Sequence, residues 1–362
     1  MEGTNDMDLT DGLLNYTLET VNTYSIQTAS KVIDRIVDNG KATKREKDKE
    51  GKIYIGDIKE PTERLKYCLT ENTDLIKAIQ KWEFDKNYKF SILYEVKEFS
   101  IDNLKLLLED NKIIDSEKIE FEELYVTTMK PSLKYFESGF YLKFNLKLDG
   151  KDVTGVEIKR RYPILTIYNN ITNILEIRID PLDSVYNKDR FKYLYSIPSW
   201  IRQYLKMDIV PLELEDIVIY IVENGKIDQV NRSGIDMSTS NGGKVTMDIG
   251  KDDSMSLPFI DELKEFLVTY KEEFERAPIL KQSFEEFIYD KETLSDFHWI
   301  KLKFEDKNFD VKFIFNYGEN NECLIQHLYS STKSNIGRER MDYVTEYLNK
   351  IRKSIEELPV NA

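Results

Sequence analysis

The sequence predicts an α+β protein of two to three domains, with mixed, mostly antiparallel sheets, flanking helices and long amphipathic helices at both ends. Three observations support this fold class. The chain has 362 residues, of which 41% are hydrophobic and 12% aromatic, enough to build more than one core. Alternating segments separated by short turns fill the middle of the chain, as in antiparallel sheets. Amphipathic helical patterns occupy the two ends.

The first predicted region, residues 1–52, combines a helix with a polar linker. Apolar residues recur at spacings of three to five over 13–39, which is close to the period of an amphipathic helix. Asn39 and Gly40 supply a helix stop. Residues 41–52 are almost entirely polar and therefore predict an exposed linker.

The central region, residues 53–256, is predicted to be an α+β domain that becomes β-rich from about residue 140. Two turn signals carry this prediction. Asp149-Gly150 is a strong hairpin turn, and Asn169-Asn170 favours a second one. The predicted strands are 141–148 and 153–159 around the first turn, and 163–168 and 174–179 around the second.

Helices and further strands complete the central region. A helix is predicted over 62–81, and alternation over 89–96 predicts a strand. Residues 184–206 are predicted to be helical with a break at Pro198, because proline lacks the amide that continues a helix. Ile217–Val222, rich in β-branched residues, predicts another strand.

The C-terminal region, residues 257–362, is predicted to be a second α+β domain that ends in a long amphipathic helix. In that helix apolar residues lie three and four apart with charges between them, a narrow seam of the kind that docks on another helix. The seam predicts contact with a protein partner or a second copy, and packing on its own domain stays open. The predicted interface residues are Met341, Val344, Leu348, Ile351 and Ile355.

A shortage of histidine and cysteine removes several reaction classes. The chain has two histidines, His298 and His327, and two cysteines, Cys68 and Cys323. Zinc sites need clusters of these residues, so no metal site is expected. Thiol and most histidine-based mechanisms are excluded too, and each histidine is predicted to be structural. No glycine-rich phosphate loop or dinucleotide fingerprint occurs, so no cofactor is expected.

Carboxylate and lysine chemistry is the catalytic alternative that these absences leave open. Asp85 followed by Glu95 and Lys97 resembles the motif of PD-(D/E)xK nucleases. The resemblance implies that the two acids hold Mg²⁺ and that the lysine activates the attacking water. Solvated charges on one strand face are the competing interpretation, because such triplets are frequent in a chain that is 33% charged. A second, weaker arrangement of the same kind is Asp152 with Glu157 and Lys159.

Residues 188–206 form a basic and aromatic stretch in a chain whose formal net charge is −14 at pH 7. Cationic groups neutralise phosphates and aromatic rings stack on bases, so the stretch predicts contact with DNA or RNA. The basic run 159–161 adds to this surface if the fold brings it near. Two amphipathic helices with aromatic core residues are the alternative that stays open. The residues predicted to bind are Arg190, Lys192, Tyr193, Trp200, Arg202 and Lys206.

These features favour a non-catalytic accessory or sensor subunit over the Mg²⁺-dependent nuclease, which remains the alternative. Lysine outnumbers arginine 39 to 13, which indicates an AT-rich, bacterial genome. The expected setting is a nucleic-acid-related system such as phage defence. No apolar run suits a membrane span, no signal peptide is visible and no disulfide framework is suggested, so the expected location is the cytoplasm.

Overall fold

The computed structural model divides the chain into two compact units. The first comprises Met1–Asn87 and Glu95–Val210, and the second Tyr88–Tyr94 and Pro211–Ala362. Each unit is therefore built from two stretches of chain. The structure describes residues 5–118, 130–151, 154–182, 185–186, 190–224, 228–238, 244–248, 258–293, 296–317, 320–328 and 338–357.

Helices lead the first unit and a sheet follows them. Strand β3 contributes residues 90–94 to the second unit and 95–98 to the first. In chain order the elements are α1 (Asn5–Asn22), α2 (Ile26–Asp38), β1 (Ala42–Thr43), β2 (Ile53–Tyr54), α3 (Pro61–Glu71), α4 (Ile76–Trp82), β3 (Phe90–Glu98), α5 (Asp102–Glu109), β4 (Ile114–Asp115), β5 (Ser132–Phe136), β6 (Gly139–Lys151), β7 (Glu157–Asn169), β8 (Ile174–Ile179), α6 (Arg190–Trp200) and β9 (Asp208–Pro211).

The N-terminal helical pattern forms two helices, α1 and α2, with a break between them. The hydroxyl of Ser25 accepts a hydrogen bond from the amide of Thr28 at 3.1 Å and so caps the start of α2. The periodicity alone did not predict this break. The segment predicted as an exposed linker is partly ordered, because β1 pairs in parallel with β2 and buries Ala42 and Thr43.

The sheet of the first unit runs β4–β5–β6–β7–β8, with the end of β3 beyond β8. Its pairs are antiparallel except β4–β5, and Val96 donates to the carbonyl of Asn173 at 2.8 Å. The predicted turn at Asn169-Asn170 is confirmed, since Asn169 pairs with Ile174. The predicted turn at Asp149-Gly150 is wrong. Both residues lie in β6 and pair with β7, so the strands are longer than the local turn signal suggests.

A buried ionic cluster joins α4 to the sheet. Glu83 follows α4 directly, and its two carboxylate oxygens accept from Arg161 of β7 at 3.0 and 2.9 Å. Lys143 of β6 donates to the same carboxylate at 3.0 Å and to the carbonyl of Gln80 at 2.7 Å. Arg161 also donates to Asn145 at 2.9 Å. The side chains of the three charged residues are at most 1% exposed, so two cations share one carboxylate within the core.

The second unit consists of an antiparallel sheet and further helices. Its strands follow the order β11–β10–β12–β13–β14–β3, where β3 contributes its first residues. The remaining elements of the chain are α7 (Glu215–Asn224), β10 (Val230–Ser238), β11 (Lys244–Asp248), α8 (Pro258–Thr269), α9 (Lys271–Arg276), α10 (Pro278–Thr293), β12 (Asp296–Phe304), β13 (Phe309–Tyr317), β14 (Glu322–Leu328) and α11 (Glu339–Glu356).

Two elements of the second unit differ from the sequence prediction. Ile217–Val222 lies within α7 and is helical, so the strand predicted from its β-branched residues is wrong. Strand β14 was not predicted at all. It pairs with β13 on one side and with β3 on the other, and it buries Leu324 and Ile325.

The α+β class predicted from the sequence is confirmed: helices accompany a mixed, mostly antiparallel sheet. Helix α6 continues through Pro198 and ends in a π-helical turn, Ile201–Leu205, so the predicted break is a change of helix type rather than a stop. Among the described helices, none combines the length and apolar character needed to cross a membrane.

Replacing Glu83 by glutamine is expected to lower the free energy of unfolding by about 3–5 kcal/mol, because it removes the carboxylate that two buried cations share. Urea denaturation followed by circular dichroism measures the loss. Glu63→Gln is the matched control, since Glu63 is exposed and pairs with Lys66 at the surface. We expect that control to change stability by less than about 1 kcal/mol. Equal losses in the two variants would contradict a structural role for the cluster.

Candidate ligand-binding cleft

A cleft opens in the first unit beside α4 and has a cavity volume of about 270 Å³. Helices α2 and α4 form one part of its lining, and strands β4 and β5 with the residues after β4 form the other. All of the lining residues belong to the first unit. We refer to this feature as the cleft. It is lined by Arg35, Asn39, Lys77, Ala78, Gln80, Lys81, Phe84, Asp85, Ile114, Asp115, Ser116, Glu117, Lys118, Ser132 and Lys134.

The cleft concentrates positive charge in an acidic chain. Three acidic side chains are present, and Asp85 pairs with Arg35 at 3.2 Å. Lys77 pairs with Asp74 at 3.0 Å. The lining therefore carries more cations than anions, whereas the whole chain carries a net charge of −14. The five basic side chains are those of Arg35, Lys77, Lys81, Lys118 and Lys134.

Three buried polar atoms of the lining have no hydrogen-bond partner within the described part of the chain. They are the amide nitrogen Nε2 of Gln80 and the hydroxyl oxygens of Ser116 and Ser132. Gln80 is 5% exposed and Ser132 is 1% exposed, so bulk water does not solvate these atoms freely. A buried polar group without a partner costs about 1–3 kcal/mol, so each of these three atoms would gain from a hydrogen bond to a bound molecule or to water.

An aromatic ring links the cleft to the buried ionic cluster. The ammonium groups of Lys134 and Lys143 lie 5.8 and 4.8 Å from the centroid of the Phe84 ring. Both distances suit cation–π attraction. Burial, together with the charge of Glu83, raises the pKa of Tyr24 well above its usual value, so this phenol stays neutral beside the cluster. Ion pairs and cation–π contacts therefore hold the side of α4 that lies behind the cleft.

The three residues of the nuclease alternative lie in the first unit, where Asp85 pairs with a residue outside the motif. Asp85 lies in the cleft and pairs with Arg35. Glu95 and Lys97 pair with each other at 2.6 Å on the exposed end of β3. Among the described residues, no group of three or more His, Cys, Asp and Glu side chains is placed to hold a metal ion.

The basic and aromatic stretch divides into buried and exposed residues. The indole of Trp200 is 5% exposed and meets the ring of Phe144 at 5.2 Å, so it is part of the core. Arg202 and Lys206 are exposed, and Arg202 donates one hydrogen bond to the carbonyl of Ile209 at 3.0 Å. The side chains of Arg190, Lys192 and Tyr193 lie outside the described residues.

In the basic run 159–161 the last residue is buried and the first two are half-buried. Arg161 is 1% exposed and is held by Glu83. The ammonium group of Lys159 lies 5.8 Å from the ring centroid of Tyr16. The expected extension of the nucleic-acid surface through Arg161 is therefore wrong, since its charge serves the core of the first unit.

The predicted interface seam of α11 is largely covered by its own unit. The four residues from Met341 to Ile351 are at most 7% exposed, and Ile355 is half-buried. Rings of α11 also pack on the sheet, since Tyr347 meets Phe304 with centroids 5.4 Å apart. Among the described residues of the second unit, the large apolar side chains that are exposed lie in the segment from α8 to α10 instead. They are Phe266, Val268, Tyr270, Ile279, Leu280, Phe287 and Tyr289.

The histidines and cysteines have mostly structural surroundings. His327 is 2% exposed, and its Nε2 lies 3.0 Å from the hydroxyl oxygen of Ser91, which is itself fully buried. His298 is exposed. Burial raises the pKa of the Cys68 thiol to about 11, and burial also raises the pKa of Cys323. Both thiols are therefore protonated at neutral pH and are poor nucleophiles.

Sequence reasoning missed the cleft because its residues form no motif. They come from four elements between residues 35 and 134 and meet only in the folded chain. One signal was available: Lys77 and Lys81 lie four residues apart on α4, a spacing that places two cations on one helix face. That signal alone does not separate a binding site from an ordinary solvated face.

Ser132→Ala is expected to raise the free energy of unfolding by about 1 kcal/mol in the absence of ligand, because it removes a buried hydroxyl that has no partner. Urea denaturation of the purified chain measures the change. Ser91→Ala is the matched control, since Ser91 is equally buried but lies within hydrogen-bond distance of His327. We expect it to lower stability by about 1 kcal/mol. A loss of stability in Ser132→Ala would show that this hydroxyl is already satisfied.

Comparison with known proteins adds no relative to these observations. No protein-family model matches the chain, and no curated protein matches it either. The function proposed below therefore depends on the residues and geometry of the chain itself, above all on the cleft of the first unit.

Proposed function

We propose that the protein is a non-catalytic binding protein, a sensor or accessory subunit that holds a small ligand in the cleft of its first unit. One observation carries the proposal: three buried polar atoms without partners line the same cleft as an excess of cationic side chains. A pocket with few, convergent polar groups is the usual form of a small-molecule site.

The cellular setting is part of the same proposal. The ratio of lysine to arginine favours a bacterial origin, and the two free, buried cysteines fit a reducing compartment such as the cytoplasm. A role in a nucleic-acid-related system, including phage defence, would give the sensor a signal to report. Ligand binding in the first unit can be tested directly on the purified chain.

Thermal denaturation with a panel of organic phosphates, carboxylic acids, amino acids and nucleosides tests the proposal. At least one class is expected to raise the melting temperature by roughly 5 °C when its concentration is a hundredfold above Kd. Ala78→Phe, which fills the cleft from α4, is expected to abolish the shift.

Lys31→Phe is the control, because it adds the same ring to an exposed position of α2 outside the cleft. Circular dichroism establishes that both variants are folded. The proposal fails if no class of the panel stabilises the wild-type chain. It also fails if Ala78→Phe keeps the whole shift.

Contact with nucleic acid through residues 188–206 is a second proposal, supported by the exposed side chains of Arg202 and Lys206. Changing both to glutamine is expected to weaken binding of a labelled single-stranded oligonucleotide. It is also expected to reduce the slope of log K against log salt by about 1.4, the value for two lost phosphate contacts. Fluorescence anisotropy measures both effects when the salt concentration is varied from about 50 to about 200 mM.

The matched control for this measurement is Lys52→Gln with Lys59→Gln, which removes two exposed charges elsewhere in the first unit. An unchanged slope in the Arg202 and Lys206 variant would assign these side chains to the solvated surface. So would a wild-type chain that binds no oligonucleotide at low salt.

A further inference from the structure

We infer that the cleft binds a phosphomonoester that carries hydroxyl groups and is no larger than a nucleoside monophosphate. This inference rests on the proposed function and names the chemical class of its ligand. Size sets the first limit. The cavity volume of about 270 Å³ lies just below the usual range for small-molecule sites, roughly 300–1,000 Å³, so the cleft is too small to enclose a dinucleotide or a larger cofactor.

The cations of the cleft point to phosphate. Lys81, Lys118 and Lys134 form no ion pair within the described residues, whereas the guanidinium of Arg35 is engaged by Asp85. A free guanidinium fork is the usual partner of a planar carboxylate, and ammonium groups bind phosphate as point charges. The lining thus offers three ammonium groups that no described acid pairs with. The cleft therefore suits a phosphate better than a carboxylate.

The acidic residues of the cleft indicate that the ligand also carries donors. Asp115 and Glu117 lie in the lining, and Asp115 Oδ1 accepts from the amide of Glu117 at 3.0 Å. These carboxylates repel a phosphate but accept hydrogen bonds from hydroxyl groups. A ligand with phosphate at one end and hydroxyl groups at the other satisfies both parts of the lining, as a sugar phosphate does.

The unpartnered atoms supply the remaining polar contacts. Gln80 Nε2 can donate, and the hydroxyls of Ser116 and Ser132 can donate or accept. The apolar part of the lining, formed by Ala78, Phe84 and Ile114, suits the carbon face of a sugar. Inorganic phosphate would leave these contacts unused, so it is expected to bind more weakly than an organic phosphate.

Isothermal titration calorimetry with ribose 5-phosphate, ribose, AMP, adenosine and inorganic phosphate tests the ligand class. Ribose 5-phosphate or AMP is expected to bind at least tenfold more tightly than its phosphate-free counterpart, and more tightly than inorganic phosphate. The variant with Lys81→Gln and Lys134→Gln is expected to weaken that binding at least tenfold. The variant with Lys52→Gln and Lys59→Gln, which changes two exposed lysines outside the cleft, is expected to bind like the wild type.

The outcomes separate the ligand class from the proposed function. If adenosine or ribose binds as tightly as its phosphate and Ala78→Phe abolishes the binding, the cleft is a ligand site and the phosphate inference is overturned. Inorganic phosphate that binds as tightly as ribose 5-phosphate would make the cleft an adventitious anion site, which also overturns the inference. If the organic phosphates bind equally well to Ala78→Phe, the cleft is not their site and both proposals fail.

Discussion

One buried carboxylate, that of Glu83, is the constraint on which the first unit depends. Both of its oxygens are engaged, by Arg161 of β7 and by Lys143 of β6, at distances of 2.9 to 3.0 Å. An ionised group taken into the core without a partner costs several kcal/mol, so the helical layer and the sheet can pack only where all three groups meet. The cluster therefore sets the position of α4 on the sheet, which hydrophobic packing alone would leave free to slide.

The cleft inherits its geometry from this cluster. Lys143 donates a hydrogen bond to the carbonyl of Gln80 at 2.7 Å. This bond fixes the last turn of α4, so the Gln80 side chain stays in the lining of the cleft. The same turn directs Glu83 to the core and leaves Lys81 exposed at the cleft. Unpartnered groups such as Ser132 lower stability, and a strongly held frame offsets that loss. A loss of stability of this kind is common at functional sites, which is consistent with the proposed function.

Local chemistry predicted some elements of the fold and failed where distant pairing decides. The turn at Asn169-Asn170 was predictable because Asn side chains stabilise a turn within their own segment. Asp149-Gly150 carries an equally good turn signal, yet thirteen consecutive residue pairs between Gly139–Lys151 and Glu157–Asn169 extend both strands past it. Ile217–Val222 has a strand composition but forms the buried side of α7, with Ile217, Val218 and Ile221 inside. In both cases tertiary packing outweighed local propensity.

The candidate site was less predictable than the fold, because basic side chains that look alike in the sequence differ in burial and pairing in the folded chain. Arg161 belongs to a basic run that reads as an exposed surface, and it is fully buried; Lys81 belongs to an ordinary amphipathic helix, and it lines the cleft. The two side chains differ in whether a carboxylate from a distant part of the chain forms an ion pair with them. Glu83 reaches Arg161 across 78 positions, and no described acid pairs with Lys81. The proposed ligand site depends on cations that the fold leaves unpaired beside unpartnered polar atoms, and only the folded chain identifies them.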